Sequence, residues 1–165
     1  MQTFSDMQRN SSYQRVIVKI LTAGILVLYE ALTSAYPFLP SLFGVFFVYL
    51  LFYFDSKLRF YEITYSFLYL TIYELDKGFY LFSFIIFFII YYNFVKDEIK
   101  KYIFCKGCLA FFYTLTGYLG YYLINFIIAF ILNDPKPILG YDNISYFTNI
   151  FIDTFLVLLI FKKKL

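Results

Sequence analysis

Asp153 is the residue whose chemistry is most unusual for its surroundings. It stands in the middle of the apolar run 146–161, and Asn149 precedes it by four residues, so both side chains face one side of a helix. A charged residue at the centre of a membrane-spanning helix costs about 2.5–3.5 kcal/mol. No Lys or Arg lies at a similar depth, so we expect Asp153 to be protonated much of the time or hydrogen-bonded across a helix bundle. Asn149 and Asp153 are therefore a candidate intramembrane polar site. Three roles remain open for it: a structural hydrogen bond, coupling to a proton or a ligand, and contact with a partner protein.

Two other groups of polar residues give weaker signals. Cys105 and Cys108 form a CxxC pattern, which supports dithiol chemistry in soluble redox folds. No second ligand pair accompanies this pattern, so the sequence predicts two ordinary reduced thiols at the cytoplasmic end of a helix. Glu30, Glu62 and Lys19 lie toward the ends of apolar runs, and we expect all three to reach the membrane interface.

The chain lacks the residue sets that most catalytic and cofactor sites need. It has no His and two Cys, and it contains no Walker A, GxSxG or HExxH pattern and no haem ligand pair. One carboxyl group without a base or a metal gives little catalysis. We therefore predict no catalytic residues, no metal ion, no cofactor and no small-molecule ligand. The net charge of +3 does not indicate nucleic acid.

Small and polar residues form one stripe along the fifth apolar run. The stripe consists of Gly107, Ala110, Thr114, Gly117, Tyr121 and Asn125. At about 100° per residue these positions share one side of a helix. Small residues let helix backbones approach closely in lipid, and an amide can bond across such a contact. The stripe predicts a helix-packing or partner contact on the central helix of the bundle, with Asn125 a candidate neighbour of Asp153.

Six apolar runs must position these residues. They cover about 16–36, 39–54, 60–73, 78–94, 107–132 and 146–161. The chain is 62% hydrophobic and only 15% charged, whereas soluble domains carry about a quarter charged residues. A chain of 165 residues cannot bury so much apolar surface inside itself. We predict an all-α fold: a polytopic transmembrane helix bundle of about six spans, with runs two and three as an alternative re-entrant pair.

The distribution of basic residues predicts the orientation of this bundle in the membrane. If the N-terminus is cytoplasmic, twelve of the fourteen Lys and Arg residues fall in cytoplasmic segments, and only Lys77 and Lys136 fall outside. Such an asymmetry over short loops is the positive-inside pattern. It predicts a short cytoplasmic segment 1–15, a single bundle 16–161 and a basic cytoplasmic C-terminus 162–165. The longest loops are then about 95–106 inside and about 133–145 outside, and neither can fold as a domain.

The chain resembles the rod shape-determining membrane protein MreD family. The resemblance covers about 40–94 and, more weakly, the last two runs through the basic end. Pro40 resembles the proline at the start of that family's second span, and 68–81 resembles the stretch where the third span ends in an acidic residue and a glycine turn. The family usually carries an Asp within the third helix, where this chain has Tyr73, Glu74 and Asp76.

The resemblance implies a scaffold subunit of the bacterial wall-elongation machinery in the inner membrane. Its expected partners are a bitopic MreC-like protein and wall-synthesis proteins. The bundle would also be distantly like the substrate-binding subunits of vitamin transporters, which supplies the main alternative function. A vitamin-binding subunit should have an outward cavity with convergent polar groups. The short outer loops favour the scaffold.

Overall fold

The structure, a computed structural model, describes residues 4–36, 39–54, 60–134 and 143–161. Seven α-helices and one π-helical segment cover these ranges. In chain order they are α1 (Phe4–Ala35), α2 (Phe43–Tyr53), α3 (Phe60–Lys77), α4 (Ser83–Ile90), the π-segment (Tyr91–Val95), α5 (Lys96–Tyr102), α6 (Lys106–Leu132) and α7 (Asn143–Phe161). The basic C-terminus 162–165, the basic pair in 55–59 and the turn residues of 135–142 lie outside the described residues.

The all-helical prediction is confirmed throughout the described ranges, which contain no strand. Because α4, the π-segment and α5 follow one another without a break, the helices form six rods. In the described part of the chain, one helix, Gly107–Leu132, is long and apolar enough to cross a bilayer. Only 28% of its most apolar window is buried, which is unlike the core helix of a soluble protein. Three shorter apolar helices are Ile20–Ala35, Phe43–Tyr53 and Phe147–Phe161.

Several helix boundaries differ from the apolar runs. The first helix begins at Phe4, well before the apolar run at residue 16, and α5 occupies most of the predicted inner loop 95–106. Both extensions consist largely of polar residues, which add helical turns without contributing apolar periodicity. The second and fourth helices begin later than predicted, at Phe43 and Ser83. The segment before α2 is buried or half-buried, whereas Leu81 and Phe82 before α4 are exposed.

Local chemistry explains the end of α3 and both ends of α6. Gly78 has φ +71° and ends α3, while the Phe79 N–H bonds to the Glu74 carbonyl (2.9 Å) as in a Schellman motif. Asn133 ends α6 with φ 51°, a conformation that Asn tolerates. At the start of α6, Cys105 and Cys108 form a disulfide, so the prediction of two reduced thiols is wrong. One helical turn brings the two sulfur atoms together, which spacing alone did not establish.

The most buried helix of the bundle is α2, while α6, the predicted central helix, contacts α2, α4, α5 and α7. None of the residues of α2 is exposed, whereas α6 keeps a face of large apolar residues outside. A helix that is apolar all round is suited to a buried position. Gly117 of α6 provides the space for α2, because a Cβ atom there would lie 2.6 Å from Cδ1 of Phe47. The helix pairs with the most extensive contacts are α6 with α7, α6 with α2, α1 with α3, and α2 with α3 and α7.

Candidate functional site, a buried layer of carboxyl and tyrosine groups

The carboxylate of Asp153 caps the N-terminus of α2. This helix begins after Leu42, which has φ 53° and supplies no side-chain cap. The first backbone N–H groups of a helix have no partner within the helix and carry a partial positive charge. The N–H of Gly44 donates to Oδ2 of Asp153 at 2.7 Å, and Asp153 is 0% exposed. The last helix of the chain therefore satisfies the start of the second.

A tyrosine and a glycine complete this contact. Tyr118 of α6 donates its hydroxyl to the same Oδ2 atom (2.7 Å), and the hydroxyl of Ser41 lies 3.1 Å from that of Tyr118. A Cβ atom on Gly44 would lie 2.9 Å from Oδ2 and 3.1 Å from Cβ of Asp153. Only glycine allows the helix start to approach the carboxylate this closely. Among the described residues, none hydrogen-bonds to Oδ1 of Asp153.

Glu74 of α3 caps the N-terminus of α4 in the same way. This helix follows Phe82, which has φ 64° and also supplies no side-chain cap. Oε2 of Glu74 accepts the Phe82 N–H at 2.8 Å, and Oε1 accepts the Phe84 N–H at 2.5 Å. Oε1 also accepts the hydroxyl of Ser83 at 2.8 Å and that of Tyr121, from α6, at 3.2 Å. Both oxygens of this buried carboxyl group are therefore occupied.

Glu30 of α1 is the third buried carboxyl group. The sequence predicted an interfacial position, but Glu30 is 0% exposed, so that prediction is wrong. Glu30 lies on the side of α1 that packs against α3, where the hydroxyl of Tyr69 contacts both Oε2 of Glu30 and the carbonyl oxygen of Ser41. Thr33 bonds to Oε1 of Glu30 at 3.3 Å. By contrast Glu62, also predicted at the interface, is exposed and accepts a bond from the hydroxyl of Tyr49.

These groups form one layer across the bundle. Tyr118 lies at the middle of α6 and Asp153 at the middle of α7. Tyr121 is three residues beyond Tyr118, about 4.5 Å along the helix axis. Hydrogen bonds connect Glu30, Tyr69 and the Ser41 carbonyl on one side, and the Ser41 hydroxyl, Tyr118 and Asp153 on the other. The starts of α2 and α4 therefore lie within the bundle, away from its ends.

The predicted stripe on α6 contacts several different neighbours. Ala110, Thr114, Gly117, Tyr121 and Asn125 are buried, while Gly107 is half-buried with open space around it. The hydroxyl of Thr114 bonds to that of Thr154, beside Asp153, at 2.6 Å.

Asn125 does not lie beside Asp153 in the hydrogen-bond network. Its Oδ1 atom accepts the N–H of Tyr80 (3.2 Å), and its amide nitrogen donates to the Tyr121 carbonyl (3.0 Å). Asn125 therefore orders the segment before α4, while Asp153 orders the start of α2. Asn149 is half-buried one turn before Asp153.

The sequence pointed to Asp153 but missed the partners that give it a role. Ser41, Gly44 and Tyr118 carried no individual signal, because their roles depend on helices that are distant in the chain. One signal was present for Glu74: an acidic residue inside an apolar helix, shortly before a glycine turn and a second apolar helix without a polar first residue. That pattern favours an acid that caps the following helix.

The layer holds the starts of α2 and α4 in place. In the part of the chain that the structure describes, no group of three His, Cys, Asp or Glu residues could hold a metal ion. The donors around Glu74 and Asp153 come from backbone N–H groups and hydroxyl groups, which stabilise a carboxylate without activating a nucleophile. No known protein family, curated protein or solved structure matches the chain significantly.

Proposed function

We propose that this chain is a multi-pass integral membrane protein of six rods with both ends in the cytoplasm, and that it acts as a scaffold. The observation that carries the proposal is the reversed distribution of polar and apolar groups. Glu30, Glu74 and Asp153 are at most 1% exposed, whereas Leu28 and Phe130 are 67% and 77% exposed. Soluble proteins bury apolar groups and seldom bury charged ones. Lipid is the solvent that favours the reverse arrangement.

Membrane embedding also explains why the two caps exist. The 11 residues of α2 extend about 16 Å, roughly half the thickness of the hydrocarbon core. The segments before α2 and α4 then lie at membrane depth, where irregular backbone is tolerated only if the protein satisfies its polar groups. Asp153 and Glu74 supply acceptors that water would supply in a soluble protein. The short α2 also agrees with the re-entrant alternative for the second run.

The topology has a direct test with reporter fusions. The charge asymmetry predicts a cytoplasmic reporter after Leu165 and a periplasmic reporter within 133–145. An active periplasmic reporter at the C-terminus would contradict the six-span arrangement.

A scaffold in lipid needs helix faces that other helices can contact, and α1 offers one such face. It packs mainly against α3, and from residue 17 to residue 28 its described side chains are exposed or half-exposed. Association in lipid depends on close packing and on interhelical hydrogen bonds. The resemblance to the MreD family supports one occupant for this face, the single membrane-spanning helix of an MreC-like partner.

Gly24 provides a sharp test of that contact. A Cβ atom at Gly24 would meet nothing within 4 Å, so Gly24→Leu should leave the fold and the abundance of the protein unchanged. It should nevertheless reduce co-purification of the bitopic partner from mild detergent, because the added bulk keeps the partner backbone away. Leu123→Phe, on the exposed face of α6, is the matched control and should bind normally. Equal recovery with both variants would exclude α1 as the contact.

Depletion in the native host tests the cellular role. Loss of a wall-elongation scaffold should make elongated cells round without abolishing the uptake of any single nutrient.

The alternative is a substrate-binding subunit of a small-molecule transporter. The observation that favours it is Oδ1 of Asp153, a buried oxygen with no hydrogen-bond partner among the described residues. Helix starts near the middle of the membrane form the binding sites of several transporter folds. If depletion leaves cell shape intact and abolishes uptake of one nutrient, the transporter replaces the scaffold.

A further inference from the structure

Cys105 and Cys108 lie where reactive cysteines are found in other proteins. Cys105 is the N-cap of α6, and its sulfur accepts the backbone N–H of Cys108 at 3.2 Å. Both residues are exposed, and the neighbouring Phe104 is 91% exposed. A helix N-terminus stabilises the thiolate form of a cysteine, and exposure admits a reaction partner. The buried, inert environment of a structural cysteine is absent at both positions.

The surroundings of the pair are also basic. Four lysines lie in α5 and at the start of α6: Lys96, Lys100, Lys101 and Lys106. One of them, Lys101, forms an ion pair with Glu98 at 2.5 Å. Asp97 and Glu98 offset two of the four lysine charges, so the segment keeps a net charge of +2, which favours a thiolate over a thiol.

The proposed topology places the disulfide between these cysteines in a reducing compartment. The segment joining α5 to α6 would face the cytoplasm, where glutathione and thioredoxin keep most thiols reduced. Disulfides that form in that compartment are usually transient, and they serve catalysis or redox sensing. An exposed bond of this kind is open to attack by cytoplasmic thiols, unlike a bond buried in a core.

We propose that Cys105 and Cys108 are a redox-active dithiol pair that exchanges with low-molecular-weight disulfides of the glutathione class. The Cys105 thiolate attacks one sulfur of the disulfide, forms a mixed disulfide and releases the first thiol. The Cys108 thiolate then attacks the Cys105 sulfur and releases the second thiol. The protein dithiol loses two electrons and two protons, and one small disulfide becomes two thiols. Cys105 is the attacking residue because its sulfur lies at the helix end.

A redox titration of the full-length protein in mild detergent tests the pair. The protein is equilibrated over a range of reduced to oxidised glutathione and trapped with a maleimide that changes its gel mobility. We expect a single transition between two alkylated thiols and none. Two thiols at every ratio would identify ordinary cysteines, and no thiols at any ratio would identify a structural disulfide. Either result overturns the proposal.

Single substitutions test the assignment of the attacking residue. Cys108→Ser should accumulate a mixed disulfide with glutathione at Cys105, which intact-mass measurement detects. Cys105→Ser should form the corresponding adduct several-fold more slowly, and equal rates would overturn the assignment.

Labelling of intact cells separates this inference from the proposed topology on which its cellular role rests. A membrane-impermeant maleimide should not reach Cys105 or Cys108 from outside. Labelling from outside would contradict the topology and the cytoplasmic role, while the redox titration would still decide whether the pair exchanges.

Discussion

The helices α2 and α4 both follow an apolar residue with positive φ, Leu42 in one case and Phe82 in the other, and both have buried residues in their first turn. Each start is capped by a carboxylate from another helix. That carboxylate also accepts a hydrogen bond from the hydroxyl of a tyrosine in α6. Glu74 caps α4 from the preceding helix, 8 to 10 residues away, and uses both oxygens. Asp153 caps α2 from 109 residues away and uses one oxygen.

Glu74 is therefore a local cap, and Asp153 is a long-range cap. The α3–α4 pair contains its own acceptor, so this part of the bundle can form as soon as the two helices meet. The start of α2 remains unsatisfied until α7 packs beside it. Asp153 therefore links the seventh helix to the second, and its Oδ1 atom, unlike either oxygen of Glu74, has no hydrogen-bond partner in the part of the chain that the structure describes.

The same comparison extends to the packing of α6. Gly117 faces Phe47 of α2, and Gly120 faces Phe87 of α4, with Cβ positions 2.6 Å and 2.7 Å from the nearest ring atoms. The two glycines are three positions apart in α6, as are Tyr118 and Tyr121. One face of α6 therefore repeats the same contact for both inner helices.

Removal of the Glu74 carboxylate should have the largest effect. Glu74→Ala leaves two backbone donors of the α4 start and two hydroxyl groups without their acceptor. Each unpartnered buried donor costs about 1–3 kcal/mol, so the free energy of unfolding in detergent should fall by at least about 3 kcal/mol. Glu98→Ala, which breaks an exposed ion pair, is the control and should cost about 0–1 kcal/mol. Similar losses from both variants would show that Glu74 is not a cap.

Gly117→Leu should have the next largest effect. The new side chain overlaps the ring of Phe47, and overpacking of this kind costs about 1–3 kcal/mol. Phe112→Leu is the control, because Phe112 is 41% exposed on the outer side of α6. Thermal stability and monodispersity in detergent measure both variants. Equal behaviour of the two would contradict close packing of α6 on α2, and Phe47→Ala should partly rescue Gly117→Leu.

The two tyrosines of α6 sharpen the comparison of the caps. Tyr118→Phe removes one hydrogen-bond donor of Asp153 and leaves the Gly44 N–H, so it should cost about 1.5–3 kcal/mol for a lost bond to a charged group. Tyr121→Phe leaves Glu74 with three other donors and should cost about 0.5–1 kcal/mol. Chemical unfolding in detergent gives both values. If Tyr121→Phe proves the more damaging change, the two caps do not differ as described.

Asp153→Asn should be milder than complete loss of the acceptor. The amide oxygen can still accept from Gly44 and Tyr118, but the amide nitrogen brings buried N–H donors to a position with no partner among the described residues. We expect a loss of about 1–3 kcal/mol in the unfolding free energy, with cell shape preserved. Asp153→Leu removes the acceptor and should be clearly more damaging. Loss of function in Asp153→Asn at normal abundance would instead favour proton or ligand coupling.

The sequence by itself determined the helical class and the approximate position of each rod. Apolar runs act through neighbours in the chain, and such local signals can be read directly. The depth of Asp153 within an apolar run was visible for the same reason, because burial of a charge in such a run is costly wherever the other helices lie.

Only the tertiary structure decided which groups satisfy one another. Glu30 looked interfacial by position along α1, but the approach of Tyr69 from α3 buries it. Asn125 and Asp153 looked like neighbours by type, but they serve different helix starts. The late starts of α2 and α4 depend on carboxylates from other helices. The hydrogen bond between Gly44 and Asp153 joins residues 109 positions apart, so it depends on how the helices pack. The sequence pattern of one helix does not identify the helix that packs against it.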